Sequence, residues 1–420
     1  MESFESSFPA DFRQKDIGAI LKFASAGKFC QLVCIPGAGK ATILRLLKTN
    51  NRLKKYHLGA KVASINFVYI NLQELADFDE NQILKLILFS LDHKIKPQQD
   101  TLALKKQIKE TVARICKNFN IVLLLDHFDE VQHHLSRSFY QLLKDLKDLA
   151  KYKIAVVFAT RRDLAELVDE QIFKDFWDFF VENSIYLKVN DPEATEFLFA
   201  QVEKAFSKKL LDLQKKAIIN FTGGHAKLTK IIAELALHQN INLEKKILLA
   251  NNQVRATLFE IWLFLTAQEQ AALYTAAQKD AETDSEIFKK LALLDLINEK
   301  SDFTIPLFGL FIQTLGDDIA KPKITYDSKT KEIIKGQNVI SELLSPQEYR
   351  LVKFLIENHG RVVERNELIE AVWPQAKVAT AISDEAIDQM IFRLRKKIET
   401  DPARPIHIVT VKGRGILFNP

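Results

Sequence analysis

Residues 31–47 read QLVCIPGAGKATILRLL. An apolar run, 31–35, passes directly into a turn that holds Gly37 and Gly39, and the chain resumes as a helical run over 42–47. A strand that breaks on glycines and restarts as a helix is the first step of an α/β fold, since glycine admits the positive φ such a reversal needs. Four more apolar runs have strand character, at 65–71, 121–125, 154–160 and 185–187. Amphipathic helical stretches separate them. Residues 1–190 are therefore expected to form a parallel sheet with helices on both faces.

The chain has 420 residues, 47% of them hydrophobic and 27% charged. At about 100–200 residues per domain, that predicts two to four domains. The segment MESFESSFPADF opens acidic and has no signal-peptide pattern, and no apolar run reaches the roughly 18 residues of a membrane span. Cys30, Cys34 and Cys116 have neither disulfide-framework nor zinc spacing. They receive no role, and the expected compartment is the reducing cytoplasm. The net charge of +5 is too mild to imply a polyanion partner by itself.

Beyond residue 190 the periodicity turns helical. Asp191-Pro192-Glu193 supplies an N-cap and a first-turn proline, and Thr222-Gly223-Gly224 separates two helices. A second helical block covers 255–316, and its stretch 303–311 is expected to be a wing or a strand. Residues 316–322 read as a linker. Short strands, three helices and a closing hairpin follow over 322–420, giving an α+β domain.

The opening stretch approaches the pattern G-x-x-x-x-G-K-[ST]. In it glycines let backbone N–H groups wrap phosphates, the lysine meets their charge and the hydroxyl binds magnesium. Gly37, Gly39 and Lys40 are in place, whereas Cys34 replaces the first glycine and Ala41 the hydroxyl residue. Thr42 comes one residue late, a turn of about 100° on a helix, and cannot simply replace the magnesium hydroxyl. The other reading is a glycine turn with no ligand. In IVLLLDHFDEV, residues 121–131, a buried strand ends at Asp126, placed to hold magnesium through water. His127 follows it, either as a base near neutral pH or as a polar residue at a strand end. Asp126 and His127 are the candidates for catalysis, and neither is assigned. Phe158-Ala159-Thr160-Arg161-Arg162 would bring Thr160 and Arg161 to a terminal phosphate, or forms a solvated basic turn. The nucleotide-binding candidates are thus Gly37, Gly39, Lys40, Thr42, Asp126, Thr160 and Arg161, with ATP or ADP as cofactor and magnesium at Asp126.

These pieces resemble the STAND/AAA-type P-loop ATPases over residues 8–315. Phe8-Pro9-Ala10-Asp11-Phe12-Arg13 resembles the segment that precedes the first strand in that group. Phe221-Thr222-Gly223-Gly224-His225-Ala226 resembles its lid motif, with Ala226 where a proline would meet the base. The resemblance implies a helical lid over 191–254, and a winged-helix-like relay domain over 255–316 that begins near Trp262-Leu263-Phe264-Leu265-Thr266-Ala267-Gln268-Glu269. Cys34, Ala41, His127 and Ala226 depart from the family pattern. Nucleotide binding with weak or absent hydrolysis is the expectation.

The stretch LSPQEYRLVKFLIENHGRVVERNELIEAVW begins at Leu344, and in it Ser345 and Glu348 have capping-box spacing. Gly360 ends that helix, and a second helix covers 365–373. A third, over 384–399, buries Ile387, Ile391, Leu394 and Ile398 at 4-3-4 spacing and turns Glu385, Gln389, Phe392, Arg393 and Lys396 outward. PIHIVTVKGRGILF, residues 405–418, is a hairpin with a basic tip. From 393 to 414 seven basic residues accompany two acidic ones, Glu399 and Asp401; such a cluster is either solvated surface or a DNA face. The arrangement strongly resembles the OmpR/PhoB-type winged-helix DNA-binding domain over 322–420. Its residues here are Ser345-Pro346-Gln347-Glu348-Tyr349, Val363, Arg365, Leu368, Ile387-Asp388, Arg393-Leu394-Arg395-Lys396-Lys397-Ile398, Thr410-Val411, Gly413 and Gly415. The resemblance places the third helix in a major groove and the wing in the adjacent minor groove. Glu385, Gln389, Arg393, Arg395, Lys396, Lys397, Lys412 and Arg414 are the DNA-binding candidates, with Gln389 suited to adenine and Glu385 to cytosine.

Together the two ends predict a transcription regulator that binds double-stranded DNA and carries a nucleotide-binding or signal-sensing module, with self-association or a signalling protein as a further partner and no membrane. Two other readings stay open. One is a DNA-remodelling or replication-initiator-like AAA-type ATPase, and the other a nucleotide-free scaffold tethered to DNA.

Overall fold

The computed structural model describes residues 4–75, 79–179, 183–238, 243–278, 286–315, 323–336, 338–373, 384–399, 405, 407–411 and 414–420. The chain divides into two compact units, Met1–Phe264 with Thr283–Phe308, and Leu265–Glu282 with Gly309–Pro420.

In the first unit five parallel strands form one sheet in the order β2-β3-β4-β1-β5. They are β1 (Cys30–Val33), β2 (Ile65–Asn71), β3 (Asn120–Asp126), β4 (Ile154–Thr160) and β5 (Ser184–Tyr186). The three central strands β1, β3 and β4 are buried almost end to end, which is why they read as continuous apolar runs rather than alternations. Among the longer helices, α1 (Gln14–Ser25) lies along β1 and β4, and α2 (Lys40–Thr49) along β2 and β3. On one sheet face Val68, Ile70, Ile121, Leu123, Leu125, Val156 and Phe158 form a core with α3 (Glu80–Leu91), α4 (Thr101–Ile115) and α5 (Arg137–Ala150).

The helices α6 (Pro192–Phe206), α7 (Asp212–Thr222), α8 (Ala226–His238) and α9 (Asn252–Phe264) follow. Asp191 caps α6, its side chain accepting from the Ala194 N–H, with Pro192 in the first turn as expected. Gly223 ends α7 at φ 58, and a Cβ there would lie 1.8 Å from the Thr304 carbonyl oxygen. The wing or strand expected at 303–311 is a helix instead. A single bridge joins Ile297 to Phe303, and α11 (Pro306–Thr314) starts on Pro306. Proline at the start of a helix forfeits no bond, because that N–H has no intrahelical acceptor. The block 255–316 is divided between the units: 255–264 and 286–308 belong to the first, and α10 (Ala267–Ala277) and 309–315 to the second.

The second unit contains an antiparallel sheet β6 (Ile324–Asp327), β7 (Glu332–Lys335) and β8 (Asn338–Val339), then α12 (Pro346–Glu357), β9 (Val362–Val363), α13 (Arg365–Val372), α14 (Asp384–Ile398), β10 (Ile408–Val411) and β11 (Gly415–Phe418). β9, β11 and β10 form a second antiparallel sheet, of which β10 and β11 are the expected hairpin. The Ser345–Glu348 capping box is present, with the Ser345 N–H donating to Glu348 Oε2 at 2.8 Å. Ile387, Ile391, Leu394 and Ile398 of α14 enter one core with Leu351, Leu355, Leu368, Ile408 and Phe418. The expected linker 316–322, Asp401, Arg404, and the wing-tip residues Lys412 and Gly413 lie outside the described residues. Among the described residues, no helix is long and apolar enough to cross a membrane.

Candidate nucleotide site and nucleic-acid interface

The chain leaves β1 toward the β2 edge of the sheet and leaves β4 toward the β5 edge. Opposed departures open a crevice at the carboxyl ends of neighbouring strands, where α/β proteins place ligands. The glycine loop closes that crevice. Ile35-Pro36-Gly37-Ala38 is a type II turn, with Pro36 at its second position, Gly37 at φ 78 in its third, and the Ala38 N–H donating to the Ile35 carbonyl at 3.4 Å. Gly39, at φ 105, caps α2, and Lys40 is the first helical residue.

Lys40 Nζ is buried 3.8 Å from Asp126 Oδ1 and 3.8 Å from Asp129 Oδ1, and hydrogen-bonds to neither. Asp129 Oδ1 and the Thr160 hydroxyl are likewise buried without a hydrogen-bond partner. A buried polar group left unmatched costs about 1–3 kcal/mol, and more when charged. Lysine and threonine donors held in this state at the head of a helix fit the oxygens of a phosphate chain. Asp126 is fully buried; its carboxylate accepts from the Tyr69 hydroxyl at 3.0 Å and from the His127 N–H at 3.0 Å. Burial, reinforced by Asp126, raises the Tyr69 pKa, so this phenol stays a donor.

Ala41 brings no hydroxyl, and no set of three His, Cys, Asp or Glu side chains gathers as a metal site among the described residues. The buried Lys40 and Thr160 donors fit phosphate oxygens, and alanine at position 41 leaves magnesium one protein ligand fewer. Asp126 is the group that would hold the ion, and the ion would neutralise phosphate charge there. Cys34, at the place of the first glycine, is buried, and burial pushes its thiol up to about 11 despite the nearby Lys40 charge.

Two expected residues have other partners. Arg161 Nε donates to Asp129 Oδ2 at 2.6 Å, and its Nη2 to Glu130 Oε1 at 3.2 Å. Burial opposes the Arg161 charge, but Asp129 and Glu130 outweigh it and raise its pKa. His127 takes the left-handed conformation, φ 59, and its Nδ1 lies 3.3 Å from Glu130 Oε1. It forms the turn between β3 and the short helix Phe128–Val131.

Helix α8 and the residue before it meet the glycine loop directly. His225 Nε2 is 2.8 Å from the Pro36 carbonyl oxygen, and the Lys227 N–H donates to the Gly37 carbonyl at 3.1 Å. Beside this contact is a cavity of about 530 Å³, lined by Gly37, Gly39, Thr42, Ala226, Lys227 and an aromatic group. In that group the Phe8 ring centroid lies 4.9 Å from that of Phe12 and 4.6 Å from that of Phe197. Arg13, also on the wall, donates to the Lys188 carbonyl and pairs with Asp16 at 2.9 Å. Such a wall accepts a planar ring, and pockets of this size hold small organic ligands.

Gly37, Gly39, Lys40, Asp126 and Thr160 thus gather at one crevice, and Thr42 lines the adjoining cavity. Sequence reading assigned no site role to Asp129, Tyr69, His225 or the Phe8–Phe12–Phe197 group. Asp129 lies within IVLLLDHFDEV, and Phe8, Phe12 and His225 lie within the segments that carry the P-loop resemblance, whereas Tyr69 and Phe197 left no signal.

In the second unit the outward face of α14 carries Gln389, Phe392, Arg393 and Lys396, all exposed, with Lys396 Nζ 4.6 Å from the Phe392 ring centroid. The Glu385 side chain lies outside the described residues, as does Lys412, whereas Arg414 is exposed at the base of the wing. Arg395 and Lys397 are engaged within the domain. Arg395 donates twice to the Ile408 carbonyl, at 3.0 and 2.7 Å, and to Thr410 Oγ1 at 2.7 Å. Lys397 Nζ donates to Glu348 Oε2 at 2.6 Å. At about 100° per residue, positions 395 and 397 flank the buried stripe of 391, 394 and 398, which turns their heads toward neighbouring elements.

A parallel sheet with a glycine loop between its first strand and helix defines the N-terminal unit as a P-loop α/β domain, and the helix-plus-wing arrangement defines the other as a winged helix. Residues 24–168 match the family described as an AAA domain, and residues 341–418 match "Transcriptional regulatory protein, C terminal". The chain therefore joins an N-terminal AAA P-loop domain to a C-terminal domain of the OmpR/PhoB type. The C-terminal part is similar to the sensory transduction protein RegX3 of Mycobacterium tuberculosis, 44% identical over 69 residues, which are 16% of this chain and 29% of that protein. It is also similar to the transcriptional regulatory protein KdpE of the same species, 32% identical over 109 residues, 25% of this chain and 46% of that one. The chain spans less than half the length of either relative. A Walker-type ATPase, PabY2304 of Pyrococcus abyssi, aligns with 72% of this chain and 95% of its own at a TM-score of 0.48 and 11% identity.

Proposed function

We propose that this protein is a transcription regulator that binds double-stranded DNA through its winged helix and an adenine nucleotide through its P-loop domain, the nucleotide being a switch ligand that turns over slowly. The observation that carries the nucleotide half is the pair of buried donors without a hydrogen-bond partner, Lys40 Nζ and Thr160 Oγ1, at the crevice beside the aromatic-walled cavity. Gly37, Gly39 and Thr42 complete the phosphate contacts, and Asp126 would hold magnesium, neutralising phosphate charge, where the ion accompanies the nucleotide. Slow turnover follows from Ala41 and from the left-handed turn role of His127. On the DNA side, Gln389, Arg393 and Lys396 face the duplex, with Arg414 on its backbone. Segment 191–254 acts as lid, 255–316 as relay and 322–420 as DNA-binding domain, in a cytoplasmic protein.

A switch ligand must bind two conformations with different affinity, about 1.4 kcal/mol for each tenfold shift. Affinity for selected duplex DNA, measured by fluorescence anisotropy with ATP, ADP and no nucleotide, is expected to differ between at least two of the three. Three equal affinities remove the switch, and steady-state ATP turnover at ordinary ATPase rates removes slow hydrolysis.

A further inference from the structure

His225 precedes α8 as its N-cap and is fully buried, with both ring nitrogens in use. The Leu228 N–H points at Nδ1 at 3.3 Å, so Nδ1 is the acceptor and Nε2 carries the hydrogen. That Nε2–H donates to the Pro36 carbonyl at 2.8 Å, across 189 residues of sequence. Pro36-Gly37 is the central peptide of the type II turn. Type I and type II turns differ by a flip of that peptide, and type II requires the positive φ seen at Gly37. Because the peptide is planar and trans, fixing its C=O toward the lid turns the Gly37 N–H to the opposite side of the loop.

We infer that His225 is a positioning residue for phosphate recognition: its Nε2–H locks the Pro36-Gly37 peptide so that the Gly37 N–H faces the phosphate chain of a bound nucleotide. The Lys227 N–H performs the same service one peptide later, on the Gly37 carbonyl. Gly37 fits this arrangement closely, since a Cβ there would lie 2.7 Å from His225 Cε1. The lid thereby shapes the nest from behind, without touching the phosphates through this residue. The inference rests on the nucleotide reading above.

Two substitutions separate the two jobs of the ring. In His225→Asn the amide oxygen stands where Nδ1 was and keeps the helix cap, but nothing reaches Pro36. In His225→Gln the amide nitrogen stands where Nε2 was and keeps the Pro36 contact, while the cap weakens. Calorimetric titration of the full-length protein with ADP and with adenosine, alongside thermal unfolding, reads both. Wild type is expected to bind ADP more tightly than adenosine, and Lys40→Ala to lose that preference. His225→Asn should weaken ADP about tenfold, the scale of one hydrogen bond to a charged group, and adenosine by less than about twofold. His225→Gln should keep ADP affinity within about twofold and lower the unfolding temperature instead. The inference is overturned if His225→Asn leaves ADP affinity intact, if adenosine weakens in parallel, or if His225→Gln loses ADP as His225→Asn does. A wild type that binds ADP no better than adenosine also overturns it, while one that binds neither removes the nucleotide reading and this inference with it.

Discussion

Under the proposed nucleotide reading, position 41 is where a single side chain sets the dependence on magnesium. Ala41 is the second residue of α2, at the site where the pattern G-x-x-x-x-G-K-[ST] supplies a hydroxyl to the ion. ATP affinity of the wild type is therefore expected to change little when magnesium is removed by EDTA. Ala41→Thr should create a magnesium dependence of about tenfold, in keeping with about 1–3 kcal/mol for an added hydrogen bond or ligand to charge. Titrations with and without EDTA check this, and a variant as indifferent to magnesium as the wild type would remove the explanation. A second residue effect is electrostatic. Burial pushes the His225 imidazole down to about 4, against an ordinary value of about 6.5. Between those two values the unfolded chain binds a proton that the folded chain refuses. Its contribution is thus complete above about pH 6.5 and is lost as pH falls toward 4, by up to roughly 3 kcal/mol. Urea midpoints should fall more steeply over that window in wild type than in His225→Asn; parallel slopes would place the acid sensitivity elsewhere.

Helix α14 shows how an element distributes similar residues to different tasks. The basic run Arg393-Leu394-Arg395-Lys396-Lys397 reads as one patch in the sequence, yet only Arg393 and Lys396 of it stand on the free face with Gln389. Arg395 clamps β10 through the Ile408 carbonyl, and Glu399 clamps it through the N–H groups of His407 and Ile408. Alanine at Arg393 or Lys396 should weaken DNA binding and reduce the salt slope by about one each. Alanine at Arg395 or Lys397 should lower stability by about 1–3 kcal/mol, through an unmatched carbonyl or carboxylate, with the slope unchanged. Burial acts to raise the Glu348 carboxyl, yet the bonds from Lys397 and Ser345 hold it below its ordinary value, which marks Lys397 as a structural partner. Salt titrations of DNA affinity, paired with thermal unfolding, sort the four positions. What the sequence revealed was periodic: the five parallel strands lie within two residues of the apolar runs, and the Ser345 and Asp191 caps stand where their spacing puts them. What it hid was nonlocal. Phe303 to Phe311 is apolar enough for a strand, and its helix depends on Pro306 and on a buried setting for Leu307, Phe308 and Phe311. Neither the Arg395–β10 clamp nor the Pro36–His225 contact leaves a periodic trace.

At the scale of the molecule the two candidate sites belong to different compact units, the glycine loop to the first and α14 to the second. The chain crosses between the units at Phe264–Leu265 and at Phe308–Gly309, so neither unit is a single uninterrupted segment. Arg162, two residues beyond Thr160, donates to the Phe264 carbonyl at 2.8 Å and lies over its ring at 4.6 Å. Strand β4, which ends at Thr160, is thereby joined to the last residue before the first crossing. Units with separate cores unfold in separate transitions unless they stabilise one another. A ligand that binds one native unit at about 100 times its Kd adds about 2.7 kcal/mol to that unit alone. Differential scanning calorimetry of the full chain should therefore resolve two transitions, with ADP raising one and duplex DNA the other. If the nucleotide acts as a switch, ADP must also alter the shift that DNA produces, because coupling between sites is reciprocal. Arg162→Ala should then leave each ligand's own shift in place and abolish the cross-effect. Strictly additive shifts in the wild type would mean that the two domains share a chain without sharing information.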